Sequence, residues 1–276
     1  MLEVAQNLRN TCSVSNPSHS LFGVRLSDLG APKSDTLKKA PLELVVCQVR
    51  HEAIGAGIDP GLVPTAQARL SPWVTRAEQL PSGQVAFPPG VVFPGVMQPA
   101  GWRFLGDSGW IVTLGADSFS VECTRYTTWT NFWALLEAVT TFVYEAYSPQ
   151  LAQRVGLRFV DRFVRDASAY PQQWQGLLNP AVLGFGAHPV LDSATLVAQT
   201  SSELLVEGLR ANVRGSVASD STPNGYSFVL DTDCFDEQVR PFAVDAVLHT
   251  VDRLHDLNLR LFQSVVTDTY FSELRG

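Results

Sequence analysis

The sequence predicts an α+β fold: a largely antiparallel sheet with two amphipathic helices packed on one side. Three observations predict it. Apolar β-runs come in groups of three, joined by turn segments such as Gly106-Asp-Ser-Gly109, Gly115-Ala-Asp-Ser118 and Glu207-Gly208. That turn chemistry suits tight antiparallel hairpins. Each group of three is followed by a long stretch of helical period, ending at Tyr147 in one case and near the C-terminus in the other. Finally, the order β-α-β-β-β-α occurs twice, over 41–147 and 154–276. This allows a single α+β domain over 41–276 built of two pseudo-repeated halves, 41–150 and 151–276.

Residues 1–40 are rich in Ser, Asn and Pro with weak periodicity, and read as a weakly ordered N-terminal extension carrying one short strand near Leu21–Leu26. Leu44–Val49 is β-branched and apolar on both faces, as befits a strand inside a sheet. Gly55, Gly57, Pro60 and Gly61 end it, and a helix is expected over 64–78, limited by Pro72. The Pro- and Gly-rich stretch 81–101 is a loop. Strands follow at 102–105, 110–114 and 119–127. Thr130 is then expected to cap a helix that runs to Tyr147, with Phe132, Leu135, Leu136, Val139 and Val143 on its buried face. The second pass reads as a strand at 155–164, a short helical stretch at 172–178, and strands at 195–206, 209–218 and 226–233. A long helix over 244–274 ends it, its apolar stripe holding Val244, Val247, Val251, Leu254, Leu261 and Val265.

Composition narrows the function. At 276 residues, 45% hydrophobic and 17% charged, the chain can bury a core without disulfides or metal. A net charge of −7 with no long basic run argues against nonspecific attraction to nucleic acid or membrane. Cys12, Cys47, Cys123 and Cys234 match no zinc or redox spacing, and three of them fall in apolar β-runs as core residues. Met1–Asn10 lacks the pattern of a secretory leader and no 18-residue apolar run exists, so a reducing cytoplasm is expected.

No catalytic signature is present. Gly55-Ala-Gly57 lacks a third glycine, and the Gly106–Gly109 turn lacks the spacing of a nucleophile elbow. Three features could carry chemistry. On the last helix, Asp245, His249, Asp252 and Asp256 project within about 60° of one another. His249, Asp252 and Asp256 are the candidate metal ligands there, on a stripe that points away from the core. His255 flanks the apolar face, where a histidine is usually structural. Asp161 falls among Leu157, Phe159 and Phe163 on one strand face, and a carboxylate there must be paired or bear a large desolvation cost. Arg125, Arg158 and Arg162 are its expected partners, and Arg125, Arg158, Asp161 and His255 form the candidate ligand-binding set.

Pro41–Arg50, Thr124-Arg125-Tyr126 through Trp129, Gly156–Arg162, and Leu254-His255-Asp256 with Phe262 and Asp268 together resemble a sporadically distributed prokaryotic family. Its members have about 250 residues and no established activity, so the likeness implies no chemistry. The resemblance runs from residue 41 to the end, and the family pattern prefers Asn at the position of Asp161. The patchy distribution implies an accessory role of toxin–antitoxin or phage-defence type.

The leading expectation is therefore a non-catalytic binding protein, an accessory or regulatory partner of another protein, with no cofactor. Two alternatives stand beside it: a small-molecule sensor with a pocket between sheet and C-terminal helix, and a metal-dependent hydrolase using the acidic face of that helix. A protein partner is expected, and a homo-oligomer is compatible with the sequence.

Overall fold

The computed structural model describes residues 23–33, 37–54, 58–80, 101–165, 172–195, 197–219 and 226–276. In chain order the elements are β1 (Leu42–His51), α1 (Val63–Leu70), β2 (Arg76–Gln79), β3 (Trp102–Leu105), β4 (Trp110–Leu114), β5 (Ser118–Cys123), α2 (Trp129–Tyr147), β6 (Leu151–Arg165) and α3 (Pro180–Leu183). They continue with β7 (Gln199–Val206), β8 (Leu209–Ser219), β9 (Tyr226–Asp236), β10 (Arg240–Pro241), α4 (Val244–Val265) and α5 (Asp268–Arg275).

The ten strands of the described residues join one sheet, in the order β2-β3-β4-β5-β1-β6-β9-β8-β7, with β10 paired to β6. Every strand pairing is antiparallel. The order gives the sequence repeat a physical form. From the centre outward one side reads β1, β5, β4, β3 and the other reads β6, β9, β8, β7. The two passes therefore mirror each other about the β1–β6 pair.

The hairpins explain the tight spacing. Glu207 and Gly208 both take positive φ, 48° and 81°, which is the two-residue turn that matches strand twist. Gly109 turns β3 into β4 at φ 81°. Pro223-Asn224-Gly225, a sequence with the chemistry of a hairpin turn, lies outside the described residues, as do the loop at 81–100 and Gly55-Ala-Gly57.

The core lies between the sheet and the helices. On β1, Val45, Cys47, Val49 and His51 point inward; on β6, Val155, Leu157, Phe159, Asp161 and Phe163 do. Phe132, Leu135, Leu136, Val139 and Val143 of α2 are buried against them, as are Val247, Val251, Leu254, Leu261 and Val265 of α4. Asn258 ties α4 to the sheet, its amide donating to the Leu157 carbonyl at 3.1 Å. Cys47, Cys123 and Cys234 are free and buried, and burial pushes their thiols up, Cys47 to about 12. They are packing residues; Cys12 lies outside the described residues.

Three boundaries differ from the sequence reading. The helix expected to reach residue 78 stops at Leu70, and Arg76–Gln79 instead becomes the edge strand β2, paired with β3. The cap of α2 is Thr128, whose hydroxyl accepts from the Asn131 amide, and not Thr130. The helix expected over 244–274 breaks after Val265. Val266 turns extended and bridges Leu178, and Thr267 caps α5. Two β-branched valines followed by a capping threonine favour that break, and the backbone bond from Asn179 to the Val265 carbonyl fixes it.

Of the segment 1–40, residues 23–33 lie along α4. Val24 bridges Val206, and Arg260 donates to the Leu26 carbonyl at 3.0 Å and to that of Gly30. The Lys33 amide donates to Gln263 at 2.9 Å. The short strand expected near Leu21–Leu26 is represented by the Val24 bridge alone among the described residues, and residues 1–22 lie outside them. No helix among the described residues is long and apolar enough to cross a membrane.

Candidate functional site

Two surfaces stand out, and they are on opposite sides of the molecule. The first is the sheet face turned away from the helices. Strand alternation sends one set of side chains inward and leaves Leu44, Val46, Gln48 and Arg50 of β1 on the other face, beside Arg154, Gly156, Arg158, Val160 and Arg162 of β6. Register adds Val229, Asp231, Asp233 and Phe235 of β9, then Arg210, Asn212, Arg214 and Ser216 of β8. Among the described residues no helix covers this face: α1 packs on α2, α2 on α4, and α3 meets β7 and β8 from the inner side, its Val182 carbonyl against Gly215.

The arginines here are held by carboxylates on neighbouring strands. Arg158 grips Asp231 with two parallel bonds of 2.7 and 2.9 Å, and Arg214 reaches the same carboxylate at 3.4 Å. Arg154 pairs with Asp233 at 3.2 Å. Arg162 bonds Glu43 at 3.0 Å and the Ser227 hydroxyl at 2.6 Å. Phe235 lies under two guanidinium groups, Arg154 at 4.6 Å and Arg210 at 5.5 Å from the ring centroid. Gly156 lies beneath the Arg154 guanidinium. A Cβ there would come within 2.5 Å of an Arg154 guanidinium nitrogen. Arg50, exposed and in register with Arg154, makes no ion pair with a described residue. Val164 and Leu205, each 61% exposed, add apolar surface to the same face. On the first half, burial pushes the Glu122 carboxyl above its ordinary value, with Arg103 and Ser120 opposing the shift.

The second surface is a groove between α2 and α4, about 590 Å³ in volume. It is lined by Trp129, Thr130, Trp133 and Glu137 from α2 and by Asp245, Leu248, His249 and Asp252 from α4. The sequence logic is plain on both helices: 129, 133 and 137 follow at four-residue steps, and 245, 249 and 252 at steps of four and three, so each set forms one stripe. Trp129 is held from behind by His255, whose ring stacks on it at 3.7 Å with 5° between planes. Phe159 of β6 sits 6.0 Å from the same imidazole.

The residues singled out from sequence do not meet in one pocket. Arg158 faces the open side of the sheet while Asp161, three residues on, faces the helices. That is the alternation of a strand, and it also removes Arg162 as a partner of Asp161. Arg125 turns to the β3–β4 hairpin and donates to the Asp107 carbonyl at 3.2 Å. Asp161 itself is 4% exposed, and burial pushes its carboxyl up to about 8, with no charge on a described residue to offset it. Among the described residues the ion pair expected for it is not formed, and burial favours the neutral carboxyl.

The metal set is divided as well. His249 and Asp252 line the groove, whereas Asp256 accepts from Arg260 at 2.9 Å. Among the described residues no three His, Cys, Asp or Glu side chains are placed to share a metal ion. The pocket expected between sheet and long helix has no counterpart in the groove, which lies between the two helices. Sequence reasoning missed Trp129, Trp133, Glu137 and Arg154. The four-residue spacings Trp129-Trp133-Glu137 and Arg154-Arg158-Arg162 were the signals that marked them.

His255 is half-buried and its protonation is opposed by burial, which lowers its pKa to about 4 despite Asp252 and Asp256 nearby. The unfolded chain takes up this proton from pH 6.5 downward and the folded chain only near pH 4, so stability falls across that window as pH drops. Replacing His255 by Ala removes the stack on Trp129 and is expected to destabilise the fold by about 1–3 kcal/mol at neutral pH. Urea unfolding at pH 7 and pH 5 checks both points, and the loss should be smaller at pH 5.

No family model matches the chain, and no curated protein matches it in sequence.

Proposed function

We propose that the chain is a non-catalytic binding protein that engages a protein partner through the open face of its sheet, as an accessory or regulatory subunit. The observation that supports this reading is the character of that face. It combines paired arginines, an arginine-sandwiched Phe235, an Arg50 that forms no ion pair with a described residue, and the exposed apolar Val164 and Leu205. Arginine and aromatic groups interleaved with apolar ones are the composition of protein interfaces. A phosphate-tracking surface would leave its arginines uncompensated, whereas Asp231, Asp233 and Glu43 already neutralise Arg158, Arg154 and Arg162. The resemblance to a patchily distributed prokaryotic family supports an accessory setting in the cytoplasm, as do three buried free thiols.

Arg50→Glu combined with Leu205→Glu tests the reading, since both residues are exposed and the substitutions should leave the fold intact. Tagged wild type and variant are purified from the native host and compared by the mass of the assembly each forms. A stoichiometric complex lost in the variant supports binding through this face. A wild type recovered alone as a monomer, or an unchanged complex in the variant, refutes it, and retention of nucleic acid in place of protein reassigns the face.

A further inference from the structure

The groove between α2 and α4 is separated from the open sheet face by the whole core, and binding through the sheet makes no use of it. Its walls are apolar and aromatic: Trp129, Trp133 and Leu248. Beside Thr130 and His249, its polar groups are three carboxylates. Glu137, Asp245 and Asp252 form no ion pair with any described residue, although neighbouring acids on the same helices do: Asp256 with Arg260, and Glu145 with Arg69. An indole face attracts an ammonium group, and a carboxylate beside it strengthens that attraction. The occupant that complements this groove is therefore cationic.

Its shape follows from spacing. Asp245 and Asp252 are seven residues apart on α4, which puts their backbones roughly 10 Å apart along the helix. One compact ion cannot satisfy both, and no three ligating side chains converge among the described residues. An elongated cation with ammonium groups several ångströms apart and apolar methylenes between them fits both the carboxylates and the indoles. The groove's volume of about 590 Å³ leaves room for such a cation. We infer that the groove binds an aliphatic polyamine, its methylenes along Trp129 and Trp133 and its ammonium groups on Glu137, Asp245 and Asp252.

Spermidine is the probe, titrated into the full chain and followed by tryptophan fluorescence and calorimetry at fixed ionic strength. Saturable one-to-one binding is expected, weakened by about tenfold or more in Asp245→Asn with Asp252→Asn. Both aspartates are exposed, so thermal unfolding of that variant should match wild type. Trp133→Leu should weaken binding as well, while Arg50→Glu with Leu205→Glu should leave it unchanged, which separates this site from the sheet face. The proposal is overturned by absence of binding at millimolar spermidine, by equal binding to the aspartate variant, by equally effective displacement with magnesium chloride, or by a lysine-rich peptide binding where spermidine does not.

Discussion

Asp161→Asn is expected to make the protein more stable at pH 8 by on the order of 3–5 kcal/mol, and to change it little at pH 4. The carboxyl is 4% exposed on the inner face of the central strand, between Phe159 and Phe163, and no charge on a described residue offsets its burial. In the unfolded chain it loses its proton near 3.8; in the folded chain it keeps it until about pH 8. Between those values folding takes up a proton, so stability falls as pH rises, by about 1.4 kcal/mol per unit. Above pH 8 the loss is complete. Asparagine has nearly the same shape and cannot ionise, so its stability curve should lack this slope. Urea unfolding of both proteins at pH 4, 6 and 8 gives the comparison. Parallel curves would mean that Asp161 is ionised in the folded state.

Arg158→Ala should act in the opposite direction, with a loss of about 2–4 kcal/mol. The pair with Asp231 is bidentate and well covered, the arginine side chain 20% and the aspartate 13% exposed. Removing the guanidinium leaves Asp231 partly desolvated, with only the 3.4 Å contact to the half-exposed Arg214. Much of the cost is the orphaned charge and not the worth of the pair. The double variant Arg158→Met with Asp231→Leu should therefore recover most of the lost stability, because neither charge remains to be buried. Chemical denaturation of the two single variants and the double closes the cycle. A double variant as unstable as the worse single one would show that the pair holds the strand register.

These two residues also show how far the sequence could be read. Period-two alternation on Leu157–Phe163 placed Asp161 on an apolar face, and the same alternation should have ruled out Arg158 and Arg162 as its partners. The apolar phases of α2 and α4 were legible because their buried stripes keep a regular helical period over many turns. The hairpins were legible from their Gly-containing turns. The break at Val266 was not, since it depends on a backbone bond from Asn179, far away in the chain. The order of the sheet, with β1 and β6 at its centre, was likewise invisible locally because strand pairing is non-local. The groove needed two helices brought side by side. Its halves, Trp129-Trp133-Glu137 and Asp245-His249-Asp252, were both written at helical spacing, and only packing joins them.

The most direct measurement of the proposed role is photo-crosslinking from two positions in the native host. A photoreactive phenylalanine replaces Gln48, at the centre of the open face opposite Gly156 and Ser120, or Val239, exposed on the connector that follows β9. Binding through the sheet predicts one dominant protein adduct from position 48, absent or far weaker from position 239. Equal labelling from both positions, or an adduct from 239 alone, would contradict it.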